Sequence, residues 1–138
     1  MMRRVVALAV WAGCSVLLGI AAWLQPAAAG MGTHTQLKLP QCGWVAMADM
    51  PCPTCGMTTA FAYAAEGRLV ASFRAQPMGF LLAIATAMTW LLTLYIASTG
   101  SRVASSLGRL WGMRTAWLLG ALVLSAWVYK VLSYKGWL

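Results

Sequence analysis

Between Arg74 and Arg102 the chain contains no Asp, Glu, Lys, Arg or His, and within that gap lies the apolar stretch Pro77 to Ala97. A hydrocarbon core of about 30 Å is crossed by about 20 helical residues, so this stretch is expected to span a membrane. Two others have comparable length. Val5 to Leu24 carries no charge, and Leu110 to Leu132 carries Arg114 and Lys130. These two cations lie about 24 Å apart along a helix rising about 1.5 Å per residue, so each is expected to snorkel to the nearer interface as an anchor. Trp111 and Trp117 toward one end, with Trp127, Tyr129, Tyr134 and Trp137 toward the other, fit interfacial aromatic belts.

Composition supports the same class. Of 138 residues, 62% are hydrophobic and 9% charged, a ratio that cannot clothe a soluble domain of this size in polar surface. The fold class expected is an all-α integral membrane protein, one domain over residues 1–138, with three transmembrane helices, an interfacial amphipathic helix and a cysteine-containing loop. The net charge of +8 comes from ten scattered Lys and Arg residues. With no basic run and no interleaved aromatic platform, the charge points to the lipid bilayer, and to anionic lipid, not to nucleic acid.

The first apolar stretch has two interpretations. "MMRR", an apolar run and then "PAAAG" resemble a signal peptide cleaved near Ala29. The run exceeds the 7–15 residues of a usual signal core, which favours an uncleaved anchor. Arg3 and Arg4 before the first helix, and Arg102, Arg109 and Arg114 before the third, place both sites in the cytoplasm under the positive-inside rule. The segment 25–76 and the carboxyl end then lie outside, together with Lys38, Arg68, Arg74, Lys130 and Lys135.

Small and hydroxylated residues allow close backbone approach between membrane helices. Ala9 and Gly13, Ser15 and Gly19, the stripe Thr86, Thr89 and Thr93, and Ala116 and Gly120 are spaced to do so, and these faces are expected to meet. A threonine stripe could also line a solute path, but it has no ionisable partner here. Cys14 is expected to be a small packing group.

Only residues 25–76 are varied enough to hold a site. A linker, "QPAAAGMGTHTQ", leads into "LKLPQCGWVAMADMPCPTCGMTT", which holds three cysteines and follows the single histidine. "AFAYAAEGRLVASFRAQP" comes next and suits a helix interrupted near Gly67 and stopped before Pro77. Phe61 with Ala65, and Leu69 with Phe73, share faces opposite Arg68 and Arg74, as expected of helices on a membrane surface.

The run "LPQCGWVAMADMPCPTCGMTTAFAYAAEGRLVASFRAQP" resembles the bacterial domain-of-unknown-function family 2752. The likeness lies in a first cysteine, a CPxCG(L/M)T signature, a G-x-L turn and an Asn-Pro or Gln-Pro before a membrane helix. It covers about residues 32 to 97 and carries over Cys42, Cys52, Pro53, Cys55, Gly56, Thr58, Gly67 and Pro77. Many members have Arg where this chain has Thr59. The resemblance implies a small integral protein of the bacterial cytoplasmic (inner) membrane and supplies no activity.

Three chemistries are open to the cysteines. His34, Cys42, Cys52 and Cys55 make a complete Cys3His set for zinc, and metal would contribute folding energy to a segment with little core. A disulfide between Cys42 and either CxxC cysteine would staple the loop in an oxidising compartment. Cys52 and Cys55 could form a redox couple, since a helix amino terminus lowers a CxxC thiol pKa. No alternating strand and helix pattern of a thioredoxin fold accompanies them. Asp49 and Glu66, the only acids, are too separated for an acid and base pair. The function expected is a non-enzymatic structural or interaction subunit, pinned by metal or disulfide, with another membrane protein as a partner. Membrane thiol redox and small-solute transport are the alternatives.

Overall fold

The computed structural model describes residues 2–101 and 112–136. Arg102, Arg109, Leu110, Trp111 and Trp137 lie outside the described residues, and with them part of the expected charge pattern and belt. Among the described residues the regular structure is entirely helical. It comprises α1 (Met2–Trp23), a 3-10 turn (Thr33–Leu37), α2 (Gly43–Ala48), α3 (Met57–Ala65), α4 (Leu69–Ala75), α5 (Pro77–Thr99) and α6 (Met113–Tyr134). The helices α1, α5 and α6 are long and apolar enough to cross a membrane and fall on the three apolar stretches. The chain is an all-α membrane protein.

α1 and α5 run antiparallel and form the main helix pair. Trp11 and Trp90 stack with ring centroids 6.2 Å apart, and Trp90 Nε1 donates to the Ser15 hydroxyl at 2.7 Å. At the same end as the start of α1, the Arg4 guanidinium lies beside Gly100. Of the small-residue faces Ser15 meets α5, but the glycines meet no partner. A side chain added at Gly13, Gly19 or Gly120 would find nothing within 4 Å, and the hydroxyls of Thr86 and Thr93 bond back to carbonyls of their own helix. Aromatic stacking with one interhelical hydrogen bond joins this pair instead, a contact that spacing alone does not reveal.

Between these spans the chain makes two turns of packed helix. α3 buries Thr59, Ala60, Ala62 and Tyr63 against the bundle. Its end is a Schellman closure: Gly67 has φ 76°, Arg68 N–H donates to the Tyr63 carbonyl, and Gly67 N–H donates to the Ala64 carbonyl. The break expected near Gly67 is therefore a specific backbone device. α4 then turns an apolar edge outward, with Leu69 and Phe73 47% and 48% exposed. Gln76 is extended, and Pro77 opens α5, the first-turn position where a missing N–H is tolerated. Gly79 lets α3 approach closely, since a Cβ there would lie 2.8 Å from that of Ala60.

Lys130 is not an interfacial anchor. It is 5% exposed and its Nζ donates to the carbonyls of Ala75, at 2.8 Å, and Gly30, at 3.0 Å. An ammonium at a helix end satisfies an orphan carbonyl and complements the helix dipole, so Lys130 closes α4 while tying the linker to α6.

Candidate functional site: a three-thiol cluster

The cysteines converge through two local structures. Cys42 is the N-cap of α2, its carbonyl accepting from Val45 and Ala46 N–H at 3.1 and 3.2 Å. Cys52 to Cys55 form a tight turn in which Cys55 N–H donates to the Cys52 carbonyl at 3.0 Å. Gly56 follows with φ 89°, a conformation open to glycine, and α3 begins at the next residue. A Cβ at Gly56 would also lie 2.8 Å from Gly30 O and 3.0 Å from Ala75 O. The glycine of the CPTCG run is thus required both by its dihedral angle and by crowding.

The Sγ atoms of Cys42, Cys52 and Cys55 all lie within 4.8 Å of one another. Those of Cys52 and Cys55 are 3.1 Å apart, and the Thr54 hydroxyl is 3.2 Å from Cys52 Sγ. Cys55 is 9% exposed, whereas Cys42 and Cys52 are half-buried. Hydrogen bonding from the Cys55 thiol, helped by Cys52 and by the backbone N–H groups of Val45 and Trp44, lowers the Cys42 pKa to about 7. Burial, with its two neighbouring sulfurs, pushes Cys55 up to about 12. The lowered CxxC thiol expected at the helix start is not Cys55. Its desolvation outweighs the amino-terminal dipole, and Cys42 is the acidic thiol.

His34, the fourth residue of the expected set, stands outside this group. It lies in the 3-10 turn with Nε2 3.2 Å from the Pro40 carbonyl. Cys14 belongs to α1, away from the cluster.

Three side chains hold the cysteine loop from other elements. Gln76 is fully buried, and its Nε2 donates to the Pro53 carbonyl at 2.9 Å. Trp127 Nε1 donates to the Pro51 carbonyl at 3.0 Å. The Tyr134 hydroxyl donates to Asp49 Oδ1 at 2.8 Å. Lys130 bonds instead to Gly30 and Ala75, on either side of Gly56. Thr59 is fully buried, its hydroxyl 2.8 Å from that of Thr33. Apart from Gln76, named in the sequence only as part of the Gln-Pro pair, these holding roles are invisible in the sequence, because their acceptors are backbone carbonyls or a distant acid.

Chemically, three thiols at this separation can share one soft cation or exchange two electrons. Around a tetrahedral ion with Zn–S of about 2.3 Å, sulfurs lie about 3.8 Å apart, a distance the observed spacings bracket.

Residues 42–90 match the family model described as Protein of unknown function (DUF2752), and this segment belongs to that family. No match was found among curated proteins or among solved structures.

Proposed function

For a membrane protein whose residues 42–90 belong to a family of unknown function, we propose a structural or interaction role built on the thiol cluster. Cys42, Cys52 and Cys55 together bind one soft cation, zinc before others, and so lock the segment 25–76 onto the ends of α5 and α6. The mutual approach of the three Sγ atoms to within 4.8 Å carries this proposal. Thiolates select zinc and other soft metals, and a zinc ion with three thiolates leaves a net negative charge. Lys130 supports the assignment, because its ammonium stands 3.1 Å from the position of a Cβ on Gly56, next to Cys55. The protein sits in the bacterial cytoplasmic membrane, with the amino terminus inside and the cysteine segment outside, and its partner is another membrane protein.

Metal analysis with thiol titration of the purified chain tests the site. One equivalent of zinc, lost in Cys55→Ser, is expected. His34→Ala separates the alternatives for the fourth position: loss of metal assigns it to His34, and retention assigns it to water or a partner. Absence of metal from protein purified without chelator, with a Cys52–Cys55 disulfide found by mass spectrometry, overturns the proposal.

That disulfide would support a second reading, favoured by the 3.1 Å approach of Cys52 and Cys55. Their two thiols would reduce a substrate disulfide to two thiols and become a disulfide themselves. This reading requires both to cycle while Cys42 is dispensable.

A further inference from the structure

Near the cysteine turn, a cavity of about 740 Å³ opens between the linker, α4 and the last turns of α6. Ligand sites commonly measure about 300–1,000 Å³. Arg68, Arg74 and Lys130 line it, and neither of the two acids in the chain does. Arg68 is held over the Tyr63 ring, 4.7 Å from its centroid, and paired with Glu66 at 3.5 Å. Asp49 is bonded to Tyr134. Arg74 has no side-chain partner among the described residues and projects from the outward side of α4. The cavity wall therefore carries three cations and no fixed anion.

The cavity does not end there. Leu69, Val70 and Arg74 also wall a second hollow, which Phe73, Phe80 and Tyr129 complete. Phe73 and Tyr129 in turn wall a third hollow, which runs between Leu81 of α5 and Leu122 and Ser125 of α6. Lys130 and Leu122 are separated by about 12 Å along α6 at about 1.5 Å per residue. The three hollows adjoin through these shared walls, from a cationic chamber at the helix ends to an apolar groove between two spanning helices. Leu81 and Leu122 are 43% and 45% exposed, so the groove opens sideways, toward acyl chains.

We propose that this cleft binds one anionic phospholipid, its phosphate and head group among Arg68, Arg74 and Lys130, and one acyl chain in the groove between α5 and α6. The chemistry commits to that occupant. A soluble phosphate would leave the groove unused, and the cationic chamber has no acid to receive the ammonium of a zwitterionic head group. Basic pockets between membrane helices bind anionic head groups on this principle, and an apolar groove adjoining one selects the lipid-borne form. The lipid would fill the seam where α6 stands away from α5 and is linked to it through Phe73, which meets Phe80 at 5.9 Å and Tyr129 at 6.5 Å between ring centroids. The site shares Lys130 with the surroundings of the thiol cluster, whereas Arg68, Arg74 and the groove belong to it alone, so Arg74→Gln tests it apart from the metal.

The test is native mass spectrometry with thermal melting of the purified full chain in detergent. Phosphatidylglycerol, phosphatidylcholine and sodium phosphate are added separately. Retention of one phosphatidylglycerol with a rise in Tm is expected, with no comparable effect from the other two. Arg74→Gln should weaken retention about fivefold, as loss of one cation near an anionic surface implies, and leave the lipid-free Tm unchanged. Ser125→Trp should block the groove and remove the preference for a long-chain over a water-soluble short-chain phosphatidylglycerol. Arg114→Gln, at the opposite end, should change nothing. Equal retention of phosphatidylcholine overturns the proposal, as does a full Tm rise from sodium phosphate or undiminished retention by Arg74→Gln. The position of Arg74 on the exposed side of α4 keeps that variant informative should Ser125→Trp fail to fold.

Discussion

Lys130 and Ala75, fifty-five residues apart in sequence, are joined by a 2.8 Å hydrogen bond from the ammonium to the last carbonyl of α4. A cation inside a spanning stretch is therefore a structural tie, and its second bond, to Gly30, extends the tie to the linker after α1. Three separate pieces of chain meet at one nitrogen.

Lys130→Met keeps the length and loses both bonds. Leaving buried carbonyls without a donor should destabilise the protein by on the order of 3 kcal/mol, seen as a lowered Tm in detergent. Arg114→Met, on an exposed position of the same helix, should stay within about 0.5 kcal/mol of the parent. Equal effects from both would show that Lys130 contributes no more than an interfacial charge.

Alkylation of the metal-free protein should be governed by Cys42. With its pKa lowered to about 7, it is thiol below that pH and thiolate above it, and only the thiolate attacks iodoacetamide. The rate should show a phase with its midpoint near pH 7 that is lost in Cys42→Ser. Cys55, raised to about 12, keeps its proton through pH 10 and should remain unmodified. Because the folded pKa of Cys42 lies below its unfolded value, its contribution to stability is present above the unfolded pKa and fades as pH falls through 7. An alkylation midpoint near pH 9 would contradict this assignment.

Orientation follows from opposite ends of the bundle. Met47 is 91% exposed in the cysteine segment, and Ser98 is exposed near the end of α5. In a chain with its four native cysteines changed to serine, Met47→Cys should react with a membrane-impermeant maleimide in intact cells. Ser98→Cys should react only after lysis. The reverse pattern would place the cysteine segment in the cytoplasm.

The spanning helices were legible because they need nothing but apolar length, and the breaks at Gly67 and Pro77 because each residue type acts on its own backbone. Cys42, Cys52 and Cys55 could be brought together in thought because a proline-restricted CxxC turn lies close in sequence to the first cysteine. Spacing could not show that His34 faces the Pro40 carbonyl, since a linker histidine can reach many acceptors. Nor could it show that Trp127 and Tyr134 turn toward the loop and Lys130 toward Gly30 and Ala75. A belt of aromatic and cationic residues has the same composition whether it faces head groups or the protein's own carbonyls, and only tertiary packing separates the two. The glycine faces failed for a related reason: small residues permit close packing without requiring it, and the large Trp11 and Trp90 rings had more area to bury.

Trp127 and Tyr134 belong to the final turns of α6, whereas the loop they hold ends before residue 57. During synthesis the cysteines emerge long before their clamp exists, and two more helices must enter the membrane before the loop is held from that side. Docking of the cysteine loop thus becomes a late event in biogenesis, completed only when the last helix brings Trp127 and Tyr134 to it.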